Sequence, residues 1–114
     1  MVRIYISGPI SNIRQSLTNF GKAEYDLESK GYETYNPFSI LLPSTKEEKD
    51  EYNKVGEWVW YMRRCIPELV NCDAVLLLPN WQESRGAKLE KELAETLKIK
   101  VYESTEDIDE LRKS

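Results

Sequence analysis

The chain has 114 residues, of which 40% are hydrophobic and 32% charged, so we expect one folded domain over residues 1–114. Its net charge is -4, with 20 acidic and 16 basic residues. This argues against a nucleic-acid polymer as partner, because affinity for a phosphate backbone needs a basic surface. The chain has no histidine, which excludes Ser-His-Asp and Cys-His catalysis and removes the usual zinc ligand.

The sequence also lacks the patterns of an exported or membrane-bound protein. No apolar run approaches the roughly 20 residues that a membrane helix needs, and the N-terminus enters a predicted strand without a signal-peptide pattern. Two cysteines, Cys65 and Cys72, are too few for a metal site and fit free thiols in a reducing compartment. We therefore expect a cytoplasmic protein with no membrane partner, no metal and no cofactor.

The first predicted elements are a strand and a helix joined by a glycine turn. Residues 2–7 alternate and include β-branched and aromatic side chains, which predicts a strand ending at Gly8-Pro9. Apolar residues at helical spacing then predict a helix over about 13–30. These residues are Ile13, Leu17, Phe20, Ala23 and Leu27.

The turn after the first strand is a candidate anion site. Ser11 or Asn12 is expected to cap the helix, and backbone N–H groups at a helix N-terminus attract negative charge. A plain strand–helix turn fits the same residues equally well.

A second strand and a long excursion follow. Gly31 is expected to end the helix, and residues 32–35 predict a short strand. Residues 36–54 form the excursion, and its charged part, 45–54, is either mobile or a short solvated helix. A long loop after the carboxyl end of a strand can also act as a lid, so the role of residues 44–54 stays open.

A second long helix is predicted over about 55–71 by apolar residues at helical spacing. These are Val55, Trp58, Val59, Met62, Cys65, Ile66, Leu69 and Val70. Pro67 should kink this helix, because its ring clashes with the carbonyl of Arg63. Alternatively the helix ends near residue 64 and another begins with Pro67 in its first turn.

The next strand and helix place a carboxylate where an apolar residue is expected. The apolar run 74–78 predicts a buried strand, and a helix then begins near Ser84. Its apolar side is predicted to contain Leu89, Leu93 and Leu97. Glu90 falls on the same side, toward the sheet, and burying a charge is costly unless a partner or ligand uses it. Glu90 therefore either reaches water or a backbone amide at the edge, or is a catalytic carboxylate at the carboxyl end of a strand.

The remaining residues predict a fourth strand over 98–103 and a small acidic helix from Thr105. Strands and helices thus alternate along the chain. This order predicts an α/β fold, a three-layer flavodoxin-like or Rossmann-like domain with a mostly parallel four- to five-stranded sheet. We expect the first and third strands to be adjacent, so that the Gly8 turn and the Ser84 turn lie side by side.

Two sequence segments together indicate a known family. They are YISGPI at residues 5–10 and CDAVLLLPNWQESRGAKLE at 72–90, with YMRR at 61–64 between them. Over roughly residues 3–101 the chain resembles the nucleoside 2-deoxyribosyltransferase superfamily. Within it, the chain resembles the small, mostly uncharacterised branch similar to 2'-deoxynucleoside 5'-phosphate N-hydrolases. The resemblance implies a flavodoxin-like fold, a homodimer, and cleavage of the N-glycosidic bond of a small-molecule nucleoside or nucleotide.

The resemblance also implies roles for particular residues. Glu90, four residues after Gly86, is the implied catalytic nucleophile, and Tyr5 is the implied catalytic partner that orients it. Ser84 is implied to hold a 5'-phosphate, with Arg85 as the candidate charged contact. Trp81 is expected to stack on the base, whereas Trp58 is expected in the core. The predicted substrate-binding residues are Gly8, Pro9, Ile10, Trp81, Ser84, Arg85 and Gly86.

One position departs from the family pattern. The family usually has an aspartate eight residues before the Asp of the central strand, and here that position is Cys65. A thiol is a weaker acceptor and acid near neutral pH, although a core cysteine is the ordinary interpretation. Either Glu68 or Glu83 takes over, or catalysis is weak, or the fold serves as a non-catalytic nucleotide-binding or nucleotide-sensing module.

Overall fold

A computed structural model describes residues 1–10, 13–40 and 42–112. The strands and helices are β1 (Arg3–Ser7), α1 (Ile13–Ser29), β2 (Glu33–Tyr35), α2 (Lys46–Val55), α3 (Glu57–Val70), β3 (Ala74–Leu77), α4 (Arg85–Thr96), β4 (Lys100–Tyr102) and α5 (Thr105–Ile108). Short 3-10 turns occupy Pro37–Ser39, Trp81–Glu83 and Asp109–Arg112. None of the helices in these described ranges is long and apolar enough to cross a bilayer.

Within the described residues the sheet has four strands, all parallel, in the order β2-β1-β3-β4. This confirms the predicted α/β, flavodoxin-like arrangement with the first and third strands adjacent. Tyr5 pairs with Val75 and Ser7 with Leu77, so β1 and β3 end at the same edge of the sheet. The turns that follow these two strands are therefore neighbours, and α/β folds bind ligands at this kind of edge.

Helices cover both faces of the sheet, because successive residues of a strand point to opposite sides. Ile4 and Ile6 of β1 pack into one apolar cluster with residues of α1 and with Ile108 of α5. Tyr5 packs into a second cluster with Cys65 of α3 and Ala94 of α4. The fold thus has three layers, as predicted, with α1 and α5 on one side and α3 and α4 on the other.

The buried faces of α1 and α4 differ from the predicted apolar stripes. Leu17 of α1 is 52% exposed, Leu89 of α4 is 40% exposed, and Leu97, the residue just after α4, is 46% exposed. The face of α4 that is buried carries Ala87, Glu90 and Ala94. Small alanines let the helix backbone lie close to the sheet, which turns the longer leucines outward. The predicted caps of α1, Ser11 and Asn12, lie outside the described residues.

Helix α3 is continuous from Glu57 to Val70 with Pro67 inside it. The alternative in which the helix ends near residue 64 is therefore wrong. Pro67 lies three residues before the end of α3. The helix therefore continues for less than one turn beyond the backbone hydrogen bond that Pro67 cannot donate.

The charged segment before α3 is an ordered, solvated helix, α2, with no buried residue. A capping box begins it: Glu48 N donates to Thr45 Oγ1 at 3.1 Å, and the Thr45 N–H donates back to the Glu48 carboxylate. Glu51 then pairs with Arg63 at 3.1 Å and Arg64 at 2.8 Å. These contacts attach α2 to α3.

Candidate active site

A cavity of about 580 Å³ opens at the edge of the sheet where β1 and β3 end. Its walls come from five parts of the chain: the end of β1 with the turn after it, one residue of α1, the segment 37–40, α3, and the start of α4 with the residues just before it. Volumes of this order are typical of pockets for small organic ligands. The cavity therefore lies where the strand order predicts a ligand site.

Glu90 forms the floor of this cavity and is only 5% exposed. The Tyr5 hydroxyl donates to its Oε2 atom, and Ser7 Oγ donates to Oε1 at 2.7 Å. Tyr5 and Ser7 are two residues apart on β1, so both side chains leave the same face of the sheet. Both carboxylate oxygens thus have a fixed hydrogen-bond donor.

Burial changes the proton affinity of these groups. Burial raises the pKa of Glu90 from 4.5 to about 6, against the lowering effect of the hydrogen bonds from Tyr5 and Ser7. Burial and the nearby Glu90 charge raise the pKa of Tyr5 well above its ordinary value. Above pH 6, therefore, Glu90 is an ionised acceptor and Tyr5 a neutral donor. A carboxylate in this state can stabilise a developing positive charge or bond to it.

Cys65 belongs to both the core and the cavity wall. It is 5% exposed, packs in the apolar cluster with Leu69 and Val75, and lines the cavity with Tyr5. Burial raises the pKa of its thiol to about 11, so Cys65 is neither a carboxylate-like acceptor nor a ready acid near neutral pH.

Other acidic groups do line the cavity. Of the two predicted substitutes for the missing aspartate, Glu83 is part of the lining, and Glu57 of α3 joins it. Glu68 instead pairs with Arg3 at 3.1 Å and is absent from the lining that the described residues form. Glu83 is thus the substitute that the fold places beside the cavity. No three acidic or cysteine side chains within the described ranges are grouped as a metal site.

The turn after β1 is rigidly packed. A Cβ atom on Gly8 would lie 2.9 Å from Cβ of Leu78, closer than such atoms approach. Ser16 Oγ of α1 donates to the carbonyl of Pro9 at 2.7 Å. Gly8, Pro9 and Ile10 all line the cavity, so α1 and the residue after β3 hold this part of the wall in place.

The turn before α4 reaches the same cavity. Ser84 caps α4, its Oγ accepting the N–H of Ala87 at 3.1 Å. The Arg85 guanidinium carbon lies 3.8 Å from the centre of the Trp58 ring, a cation–π contact between α4 and α3. Ser84, Arg85 and Gly86 are all in the lining. The fold therefore brings the Gly8 turn and the Ser84 turn together, as predicted from the strand order.

The two tryptophans have exchanged the expected positions. Trp81 is outside the lining formed by the described residues; its ring packs on the core, and its Nε1 donates to Glu103 at 2.9 Å. Trp58 lines the cavity from the first turn of α3, whereas Leu69 near the other end of the helix packs in the core cluster. On α3 the wall is formed by Trp58, Tyr61 and Met62, and further aromatic rings of α1 and of the segment 37–40 line the cavity elsewhere.

Two parts of this site were missed at the level of sequence. Ser7 follows Tyr5 by two positions, and that spacing alone predicts a shared face of the sheet. Trp58, Tyr61 and Met62 share a helix face with Cys65, which the sequence pattern assigned to the core. Residues 42–56, which include α2, contribute nothing to the cavity lining that the structure describes. The role of residues 44–54 as a lid, which the sequence left open, therefore has no support from a contact with this lining.

The fold and site define a flavodoxin-like α/β protein with a buried carboxylate at its ligand edge. Residues 2–103 match the family described as "Domain of unknown function (DUF4406)", and the chain belongs to that family. Among solved structures it is similar to a 2-deoxyribosyltransferase from the psychrotolerant bacterium Bacillus psychrosaccharolyticus, described as a biocatalyst for nucleoside synthesis. The TM-score is 0.66 at 21% identity, over 88% of this chain and 69% of that one. No curated protein sequence matches the chain.

The similarity to the solved 2-deoxyribosyltransferase structure concerns the fold. It confirms at that level the resemblance predicted from the segments at residues 5–10 and 72–90.

Proposed function

We propose that this protein cleaves the N-glycosidic bond of a 2'-deoxynucleoside or its 5'-monophosphate, passing the deoxyribosyl group to water or to a second base. One observation carries the proposal: the buried carboxylate of Glu90, held by Tyr5 and Ser7 at the floor of the cavity. The similarity in fold to a 2-deoxyribosyltransferase supports the same chemistry. The homodimer that the family resemblance implies stays a prediction.

In the proposed reaction Glu90 attacks the anomeric carbon of the sugar as the bond to the base breaks. The bonding electrons leave with the base, which takes up a proton, and the sugar remains on the carboxylate as an ester. Water or a second base then displaces the carboxylate. The transition states have oxocarbenium character, so an ionised carboxylate against the sugar lowers both barriers. The Tyr5 hydroxyl helps to keep the carboxylate aligned in each step.

The cavity walls suit the two ends of such a substrate. Trp58, Tyr61 and Met62 offer an aromatic and apolar surface for the base. Arg85 and the N-terminus of α4 offer positive charge for a 5'-phosphate, if the substrate carries one. Ser84 remains a candidate phosphate donor through its hydroxyl hydrogen, since its oxygen lone pair already caps the helix.

A second function is favoured by one observation. The Cys65 thiol, with its pKa raised to about 11 by burial, supplies no acid at the position where the nucleoside 2-deoxyribosyltransferase superfamily usually has an aspartate. If Glu83 does not take over this role, the cavity binds a nucleotide without cleaving it. The protein is then a nucleotide-binding or nucleotide-sensing module.

A base-release assay tests the proposed cleavage of the N-glycosidic bond. Wild-type protein is incubated with each of the four deoxynucleosides and their 5'-monophosphates, and free base is measured by chromatography. We expect release by the wild type and a rate lower by about 10³-fold or more in Glu90→Gln, because the nucleophile is lost. Glu92→Gln, an exposed carboxylate of the same helix, should keep the wild-type rate.

Equal rates for the wild type and Glu90→Gln would remove Glu90 from the mechanism. Binding measured by calorimetry on these compounds, with no base released from any of them, would support the second function instead.

A further inference from the structure

Ser7 is the last residue of β1 and is 1% exposed. Its hydroxyl lies 2.7 Å from Oε1 of Glu90, and the Tyr5 hydroxyl donates to the other oxygen. A carboxylate with one donor can still rotate about its last bond, whereas donors on both oxygens fix its plane. Ser7 therefore adds an orientation that Tyr5 alone does not supply.

We propose that Ser7 is a positioning residue, which fixes the plane of the Glu90 carboxylate through a hydrogen bond to its Oε1 atom. The proposal rests on the proposed role of Glu90 as nucleophile, and it assigns Ser7 a function through Glu90 rather than through the substrate.

The backbone around Ser7 is held by the sheet and by the residue after β3, which fixes the position from which its hydroxyl reaches Glu90. Ser7 pairs with Leu77 in the sheet, and the N–H of Leu78 donates to the carbonyl of Ser7 at 2.8 Å. Gly8 next to it leaves no room for a Cβ atom against Leu78. The donor is thus in position before any substrate arrives, which is the condition for effective preorganisation.

Among the residues that the structure describes, the groups facing Glu90 come from two elements, with Tyr5 and Ser7 on β1 and Cys65 on α3. Cys65 is uncharged near neutral pH, since burial raises its pKa to about 11. The other charged groups of the cavity, from the segment before α4, from α4 itself and from α3, are Glu83, Arg85 and Glu57. The hydrogen bonds from Tyr5 and Ser7 lower the pKa of Glu90, against the effect of burial. Removing the Ser7 hydroxyl should therefore raise that pKa.

The test is a carboxyl titration by NMR on protein labelled with ¹³C at the glutamate side chains. Glu90→Gln identifies the Glu90 signal by its disappearance. In Ser7→Ala we expect its midpoint to rise by about one pH unit, the equivalent of one hydrogen bond to a charged group. The pH profile of base release should move upward with it.

A matched control is Ser16→Ala, because Ser16 is also buried and donates a 2.7 Å hydrogen bond, but to the carbonyl of Pro9. The Glu90 midpoint should not move in this variant. Ser7→Cys, which keeps the volume but has a weak S–H donor, should give an upward shift as well, and it serves if Ser7→Ala does not fold.

An unchanged Glu90 midpoint in both Ser7 variants would overturn the proposal, as would an equal shift in Ser16→Ala. The titration decides this whether or not base release is detected. Base release tests only the proposed function, and the titration tests only the role of Ser7. A negative result in one experiment therefore leaves the other proposal standing.

Discussion

The two faces of the sheet differ in what the residues of β1 contact. On the α1 face, Ile4 and Ile6 are fully buried in a cluster made of apolar and aromatic side chains. On the α3–α4 face, Tyr5 and Ser7 are just as buried, yet they point their hydroxyl groups at Glu90. Alternation along five residues of β1 thus separates a stabilising core from a polar site.

The difference shows how a small α/β domain keeps a buried carboxylate. The apolar face supplies packing free energy in proportion to the buried area. On the other face, the buried carboxylate of Glu90 lowers the stability of the fold, because burial of an ionised group is unfavourable even with two hydrogen-bond donors. We therefore expect mutations on the two faces to separate stability from activity.

The largest effect on stability should come from Leu27→Ala on the apolar face. Leu27 of α1 has no exposed surface, and such truncations cost about 2–5 kcal/mol of unfolding free energy. Urea unfolding measures this loss, and base release per folded molecule should stay unchanged. Leu17→Ala on the same helix, where the leucine is 52% exposed, is the control, and a similar cost in both variants would contradict the packing shown here.

Two glycines that line the cavity, Gly8 and Gly86, should respond differently to replacement by alanine. Gly8→Ala should lower the unfolding free energy by about 1–3 kcal/mol, because the new methyl group clashes with Leu78. In Gly86→Ala the new Cβ would lie 3.5 Å from Met62 Sδ and 3.7 Å from Trp58 Nε1, which are ordinary contacts. That variant should stay within about 1 kcal/mol of the wild type.

Gly86→Ala should nevertheless weaken ligand binding, since its methyl group occupies space between two residues of the cavity wall. Calorimetric titration with a deoxynucleoside measures this effect. Unchanged affinity in a stably folded Gly86→Ala would place the ligand elsewhere in the cavity.

The pH dependence of stability tests the polar face of the sheet directly. The pKa of Glu90 is about 6 in the folded protein against 4.5 for the free side chain, so the folded state holds its proton to higher pH. Stability from this group is therefore full below pH 4.5 and is lost as the pH rises through 6. The shift corresponds to about 2 kcal/mol.

Glu90→Gln removes this titration, so its stability relative to the wild type should increase by about 2 kcal/mol between pH 4 and pH 7.5. Urea unfolding across that range measures the difference, with Glu92→Gln as the control. A constant difference between Glu90→Gln and the wild type would mean that Glu90 is not perturbed by burial.

Much of the site was predictable because it depends on short-range spacing. Glu90 is three residues from Ala87 and four from Ala94, so the helical period alone puts it on the buried face of α4. The exposure of Leu89 and Leu97 was not predictable in this way. Rotating α4 by a fraction of a turn decides between leucines and alanines, and that rotation depends on how closely the helix approaches the sheet.

The positions of Trp58 and Trp81 were also predicted wrongly because they depend on tertiary packing. Both are aromatic residues near the end of an element, and neither local sequence indicates which ring faces the cavity. Trp81 turns toward Glu103, 22 positions further along the chain, which supplies the acceptor for its indole N–H.

The sequence by itself determined the order of strands and helices, the adjacency of the two turns at the sheet edge, and the inward position of Glu90. These follow from periods of two and 3.6 residues and from the topology of parallel strands. Only the tertiary structure decided which hydroxyl groups hold Glu90 and which aromatic wall faces it. Those contacts join residues of β1, α3 and α4 far apart in the chain, and their geometry depends on how the helices pack on the sheet.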